Sequence, residues 1–570
     1  MTEERRIGVY VCNCGTNIAK VVDCDEVARA AEAQPGVVVA RSYKYMCSNP
    51  GQEMIQQDIR ELKLDRVVVA ACSPRMHEPT FRTALGGAGL NPYFLEMANI
   101  REQCSWVHED HRAATDKAIA LTRAAARRVV RHEALEKRHV DMNPATLVIG
   151  GGMAGMTVAL ELAGAEQPVF LVEATDHLGG NLARVDLTAP HLDSARDVVE
   201  ELVARVRRSP AIKVLLGSEL VELKGFVGNY HPKVKTGEGE LLDLEVGSAV
   251  ICTGAKEFDP ARASRYGYGA LPDVVTSFDL EAMLRRGRVE TRAGRRPRFV
   301  AIVHCVGSRS EEFHRGCSRV CCASALKYVH QLKAALPDAY VSDLYTDMNA
   351  FAKGCEDLYR RAAEAHATFL AFDKRDLPTV RAAPPGDEAG MLVTVREQLS
   401  GEEVEVPADL VVLMTAMEPR EDSAQVARIA NISRDKEGWF IESHPKLDPV
   451  ATPTDGIFIA GACQGPKDVV EAVAQGRAAV ARILAKIAQG SIAVDAIYSE
   501  VDEKQCAGCK RCTGVCPYAA ITFDEEKRRS RIVSAACKAC GCCAVACPSG
   551  AIQTRHYNDQ QIFAQIEAVL

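Results

Sequence analysis

No apolar run in the 570-residue chain approaches the roughly 18 residues that a membrane-spanning helix needs. An excess of one charge is missing too: 69 Lys and Arg stand against 76 Asp and Glu, which leaves no basic footprint for nucleic acid or an anionic membrane surface. The opening MTEERRIGVY has too short an apolar stretch for a secretory signal, so a cytoplasmic protein is expected. Cysteine is abundant, at 22 residues. Without an export signal, that number argues against a disulfide framework and for metal ligation in a reducing compartment. With 47% hydrophobic and 25% charged residues the chain reads as globular, long enough for roughly three to five domains.

The most organised stretch runs from residue 146 to 180, TLVIGGGMAGMTVALELAGAEQPVFLVEATDHLGG, where an apolar strand enters a glycine turn and then a helix. Gly150, Gly152 and Gly155 stand at G-x-G-x-x-G spacing. That spacing permits a tight turn, a close approach of backbone N–H groups to a pyrophosphate, and helix against strand packing. Glu173 ends the next apolar strand, where a carboxylate can hydrogen-bond ribose hydroxyls. Thr253 and Gly254 in AVICTGAKEF have the strand-then-glycine form that closes such domains against the cofactor, and Cys252 beside them is read as core. A second cofactor-facing element follows at TPTDGIFIAGACQGPKDVVEAVAQG, a strand Gly456 to Ala460 ending at Gly461. A helix begins near Asp468, and its N-terminus, with Lys467, is placed to face the carbonyls of a flavin ring. The arrangement resembles thioredoxin-reductase-like flavoproteins with two dinucleotide-binding domains, the first split around the second. Where that group carries an acid after the glycine for the ribityl chain, this chain has Ala462.

The second domain should open at Phe299 to Val303, yet no glycine loop follows. In its place stands HCVGSRSEEFHRGCSRVCCASALKYVHQL, with Cys305 at the strand end and Cys317, Cys321 and Cys322 before a helix. Four thiolates there can hold a [4Fe-4S] cluster, although adjacent Cys321 and Cys322 leave room for one packing residue. His304 and His314 are read as satisfied side chains and not as ligands.

Residues 1 to about 140 read as a small α/β domain, with strands at Ile7 to Val11, Val37 to Ala40, Val67 to Ala71 and Tyr93 to Met97, and a helix from about Asp110 to Glu136. In a parallel sheet, Cys12, Cys14, Cys47, Cys72 and Cys104 all fall at the carboxyl ends of strands, the ligand edge of such folds. Five candidates for four positions leave one spare, and the sequence leaves the choice within the Cys12/Cys14 pair open. Cys24 is read as a helix packing residue.

The end of the chain carries two C-x2-C-x2-C-x3-C-P runs, from Cys506 and Cys537. In such ferredoxins the fourth cysteine of each run ligates the other cluster. One [4Fe-4S] cluster is therefore expected on Cys506, Cys509, Cys512 and Cys547, and the other on Cys537, Cys540, Cys543 and Cys516. Cys542 falls off the pattern. A zinc ribbon does not need eight cysteines in this interlocked spacing. The tail HYNDQQIFAQIEAVL has helical apolar spacing, suited to docking a partner or capping the domain.

Taken together, VCNCGTNIA, YMCSNPGQ, VVVAACSPRMHEPTF, NPYFLEMANIREQCSWVH, VIGGGMAGM, CVGSR with CSRVCC, AGACQGPKD and the double ferredoxin run resemble the A subunit of heterodisulfide reductase over nearly the whole length. The resemblance implies one FAD and several [4Fe-4S] clusters in a cytoplasmic complex where this subunit can divide electron pairs at the flavin, and the cysteine groups themselves call for about four clusters. The partners it implies are B and C subunits, ferredoxin and a hydrogenase- or dehydrogenase-type donor subunit, with a homodimer inside the larger complex. The longer methanogen form carries an inserted ferredoxin module, whereas FVGNYHPKVKTGEGELLDLEVGSAVICTG runs on here without cysteine clusters. No C-x-x-C stands beside the flavin elements, so disulfide reduction is expected of a partner.

The domain division that follows is an N-terminal α/β iron-sulfur domain (1–140), an FAD-binding domain in two parts (146–297 and 446–492), a degenerate NAD(P)-binding-like domain with an iron-sulfur site (298–445), and a two-cluster ferredoxin domain with its tail (497–570). Two other readings fit the same motifs, a relay subunit without bifurcation and an NAD(P)H-dependent flavoprotein dehydrogenase with a ferredoxin tail.

Overall fold

A computed structural model describes residues 5–570, and the chain divides into two compact units, Met1–His139 with Ala493–Leu570, and Val140–Ile492. The first unit holds a four-stranded parallel sheet. Its strands are β1 (Ile7–Cys12), β2 (Val37–Tyr43), β3 (Arg66–Ala71) and β4 (Leu95–Asn99), in the order β2-β1-β3-β4. The runs IGVYVC and RVVVAA are buried along their whole length, as central strands covered on both faces must be. The helices are α1 (Cys24–Glu32), α2 (Asn49–Glu61), α3 (Pro74–Gly87) and α4 (His111–Val129). Asp23 and Asp110 cap α1 and α4 by accepting from the Glu26 and Ala113 amides.

Two boundaries differ from the periodicity. Helix α4 stops at Val129 instead of near Glu136 because buried Arg66 donates to the carbonyls of Val129 (3.0 Å) and His132 (2.9 Å), a cation at a helix C-terminus. The fourth strand starts at Leu95 because Pro92–Phe94 forms a single tight turn, whose Tyr93 amide donates to Asn91 Oδ1 at 3.0 Å. The C-terminal segment of this unit contributes two antiparallel ribbons, Ser499–Val501 with Ile552–Thr554 and Ile521–Asp524 with Arg529–Ile532. Its last helix, Asp559–Glu567, packs on α4, where Gln561 donates to the Arg131 carbonyl at 3.0 Å. The tail thus caps its own unit.

The second unit contains, in chain order, β5 (Thr146–Ile149), α5 (Met153–Gly164), β6 (Val169–Val172), β7 (Ile212–Leu215), β8 (Ser248–Ile251), β9 (Val274–Thr276), β10 (Phe299–Val306), α6 (Cys321–Ala335), β11 (Tyr340–Tyr345), β12 (Thr368–Ala371), β13 (Leu410–Thr415), β14 (Ile457–Ile459) and α7 (Val469–Ala488). They build two parallel sheets, β14-β8-β5-β6-β7 and β9-β13-β10-β11-β12. The first sheet takes its outer strand from far along the chain, so the domain built on it is split around the domain built on the second sheet. The stretch expected to run on without cysteine clusters forms antiparallel strands, Asn229–Lys235 and Leu241–Asp243. Among the described residues, no helix is long and apolar enough to cross a membrane.

Candidate functional site

At the carboxyl edge of the first sheet the glycine loop is fixed by sterics. Gly150 has φ +108°, and a Cβ there would stand 2.3 Å from the Cys252 carbonyl oxygen. A Cβ on Gly155 would lie 1.8 Å from the Gly150 carbonyl, so α5 can lie against β5 only with glycine at that position. Gly152 is different. Its backbone is extended, and an added Cβ would meet nothing nearer than Gly180 Cα at 3.9 Å. The space it leaves lies at the start of α5, which no side chain caps, so a pyrophosphate fits there on free N–H groups and the positive helix end. Glu173 sits at the rim, accepting from the Gly151 amide at 2.6 Å and from the Thr175 amide and hydroxyl, both at 2.8 Å.

The neighbouring strand ends complete this edge. Thr253 and Gly254 follow β8, with the Thr253 amide nitrogen 3.1 Å from a Cβ built on Gly150 and Gly254 at φ +72°. Gly461 follows β14 and has φ +82°, and its amide donates to Gln475 Oε1 at 2.7 Å. Helix α7 starts at Val469 with Asp468 as its cap: Asp468 Oδ1 accepts from the Glu471 amide at 2.7 Å, and Glu471 Oε2 accepts from the Asp468 amide at 3.2 Å. Lys467 is half-buried just before this helix, and burial pushes its ammonium down despite nearby Cys463 and Glu471.

The eight ferredoxin cysteines gather in two cavities. One is lined by Cys516, Cys537, Cys540, Cys543 and the off-pattern Cys542. The other is lined by Cys506, Cys509, Cys512 and Cys547. Each cavity takes three thiols from one run and its fourth from the other, the interlocked donor set a pair of four-iron clusters calls for. Among the described residues no three His, Cys, Asp or Glu side chains converge closely enough to share a single metal ion. A four-iron cluster takes each thiolate to a different iron, so its cysteines stand apart.

In the second sheet, β10 ends in an irregularity between Val303 and Val306, where Cys305 has φ +60°. Cys321 and Cys322 open α6, and Cys317 precedes it in the loop. Burial first, and then the fields of Cys305, Cys322 and Cys317, push the Cys321 thiol up. Cys322 also contacts the Asp347 carbonyl (3.5 Å) and His304 Nδ1 (3.7 Å), while His304 Nε2 lies 2.6 Å from Asp343 Oδ1 with both side chains fully buried. His314 Nε2 contacts Glu418 Oε1 at 2.6 Å. Both histidines are thus engaged by carboxylates.

In the first unit, Cys12 ends β1, Cys14 follows it, Cys47 precedes α2 and Cys72 follows β3. Burial pushes the Cys12 thiol up to about 12, with the fields of Cys14, Cys47 and Cys72 adding to it. A thiol so placed becomes a ligand only when a metal displaces its proton. Cys104 stands in a different local setting. It sits in a wide helical turn, Arg101–Ser105, and its fully buried thiol donates to the Ala114 carbonyl at 2.9 Å. Cys24 is buried at the start of α1 with its thiol directed to the Cys12 and Val22 carbonyls, both at 3.7 Å.

Residues 144–283 match the pyridine nucleotide-disulphide oxidoreductase family and residues 505–551 the 4Fe-4S dicluster domain. The second iron-sulfur A subunit of the CoB–CoM heterodisulfide reductase of Methanopyrus kandleri is 40% identical over 609 positions, covering 92% of each chain. The chain belongs to the family of heterodisulfide reductase A subunits. The iron-sulfur A subunit from Methanocaldococcus jannaschii is 37% identical, over 99% of this chain and 98% of that one. The A subunit of the H(2):CoB-CoM heterodisulfide,ferredoxin reductase of Methanothermobacter thermautotrophicus is 36% identical over 655 positions, taking in 100% of this chain and 98% of that one. Those 655 positions exceed the 570 residues present here, so that relative carries residues with no counterpart in this chain. A solved thioredoxin reductase from T. acidophilum is 14% identical over 60% of this chain and 99% of that one, with a TM-score of 0.41, a likeness that adds nothing to the topology above.

This heterodisulfide reductase A subunit is an oxidoreductase with FAD and [4Fe-4S] clusters as cofactors. Three residues around Gly461 have no role that the sequence announces: Gln464 and Gln475, which lie within the stretch TPTDGIFIAGACQGPKDVVEAVAQG, and Glu442. Gln475 donates to Gln464, which donates to Glu442 Oε2 at 2.7 Å. This amide chain stands beside the position where Ala462 leaves no acid. Gly151 lies outside the glycine spacing, although a Cβ there would meet Leu178 at 2.4 Å.

Proposed function

We propose that this chain is the flavin-based electron-bifurcating component of a heterodisulfide-reductase-like complex, dividing electron pairs between ferredoxin and a partner reductase. The observation that carries the reading is a single dinucleotide cradle in a chain with four separate cysteine groups, one of which replaces the second nucleotide loop. Relatives from Methanothermobacter thermautotrophicus and Methanococcus maripaludis are named for two acceptors, a heterodisulfide and ferredoxin. FAD, when bound, supplies the conversion between two-electron and one-electron transfer. Gly150, Gly152 and Gly155 would admit its pyrophosphate to the α5 amides, Glu173 would take the adenosine ribose, and Gln475 and Gln464 offer polar contacts near the ribityl chain. The α7 N-terminus and Lys467 would oppose negative charge on the ring, with Thr253, Gly254, Gly461 and Asp468 completing the wall.

The cluster ligands in this reading are the two interlocked ferredoxin sets, then Cys305, Cys317, Cys321 and Cys322, then Cys12, Cys14, Cys47 and Cys72, with Cys104 the spare. The complex would include B and C subunits, ferredoxin and a donor subunit in the cytoplasm. A spectroelectrochemical titration of the flavin tests the central role. Crossed one-electron potentials, the second electron entering at a higher potential than the first, are expected. Potentials in ordinary order and well separated would identify a one-electron relay instead.

A further inference from the structure

Arg319 lies inside the CSRVCC run, between Cys317 and Cys321. Its φ of +63° is left-handed for a residue with a side chain, and its backbone N–H donates to Cys317 Sγ at 3.2 Å. The guanidinium leaves the loop, passes 5.8 Å from the Phe351 ring centroid and pairs with Glu471. Glu471 belongs to the first turn of α7 and closes the capping box with Asp468. One residue therefore touches the cysteine loop through its backbone and the cofactor-facing helix through its side chain. Both partners of the ion pair are about a third exposed or more, so the pair adds little stability. Its field is the more consequential property, and Arg319 is among the groups that push the Lys467 ammonium down, after burial.

We infer that Arg319 is a positioning residue linking the Cys305, Cys317, Cys321 and Cys322 centre to the flavin, holding the thiol loop on α7 and neutralising Glu471 at the end of that helix. The inference rests on the FAD and cluster sites proposed above. An uncompensated Glu471 carboxylate at that helix end opposes the gain of negative charge by the flavin. Loss of Arg319 also removes a cation two residues from Cys317.

The test is an anaerobic potentiometric titration of the full chain as wild type, Arg319→Gln, Glu471→Gln and the double variant, each checked for FAD and iron content. The cluster in question is identified as the signal that disappears in a Cys317→Ser, Cys321→Ser variant. In Arg319→Gln the two-electron flavin potential should fall by at least the tenfold change in equilibrium that corresponds to 29.6 mV, and the potential of that cluster should fall with it. In Glu471→Gln the flavin potential should rise. In the double variant it should return toward wild type while the cluster stays low. Unchanged flavin potentials in the single variants, with FAD and iron retained, overturn the inference. If Arg319→Gln does not fold, Glu471→Gln alone decides it. A wild-type chain without FAD, or without a signal that the cysteine variant removes, instead defeats the underlying site assignment.

Discussion

Gly152→Val is expected to yield a folded chain, with its ferredoxin-type clusters intact, that no longer retains FAD. The substitution is separable from folding because the backbone at Gly152 is extended and a Cβ there touches no protein atom within 3.9 Å. The added side chain enters only the space that a pyrophosphate would use. Losing two hydrogen bonds to charged phosphate oxygens, at about 1.5–3 kcal/mol each, weakens binding by roughly 10²- to 10⁴-fold. Gly155→Ala is the contrasting control. Its Cβ would overlap the Gly150 carbonyl, so that variant should lose the packing of α5 on β5 and with it the domain. Flavin absorbance after gel filtration, read beside circular dichroism and iron content, checks both. FAD retained at full occupancy by Gly152→Val would put the cofactor elsewhere.

NADH and NADPH should fail to reduce the isolated protein. A nicotinamide dinucleotide needs a glycine loop and free helix N–H groups for its phosphates. At the matching edge of the second sheet the loop is replaced by Cys305 on an irregular strand end and by Cys317, and α6 begins with Cys321 and Cys322. A cluster held by these cysteines would fill that edge. Reduction by a low-potential ferredoxin near roughly -400 mV should persist. Anaerobic stopped-flow absorbance gives the answer: rapid stoichiometric bleaching of the flavin by NADPH alone would favour a nicotinamide-dependent dehydrogenase.

What the sequence made legible was set by local rules. The G-x-G-x-x-G loop could be read because two of its glycines are demanded by contacts within a few residues or by the adjacent strand, and the ferredoxin runs could be read because cluster ligation fixes their spacing. The split flavin domain was visible in the late strand that joins β8. What escaped depended on conformations and partners distant in sequence. Cys104 follows a strand like its companions, yet the wide turn of Arg101–Ser105 sends its thiol to Ala114. Periodicity carries no sign of such a turn. The end of α4 is decided by Arg66, 63 residues from Val129, and the Gln475, Gln464 and Glu442 chain becomes a unit only when α7 is laid beside β14. The cysteine-free stretch that marks the shorter form was legible from composition alone.

Anaerobic determination of iron and flavin on the reconstituted chain tests the central claim most directly. Four clusters of four irons each, beside one FAD, give roughly sixteen iron atoms per flavin. A value near eight would leave only the two ferredoxin cavities filled. That result would contradict the cluster at Cys305, Cys317, Cys321 and Cys322, and with it the replacement of a hydride-carrier site by an electron-transfer centre.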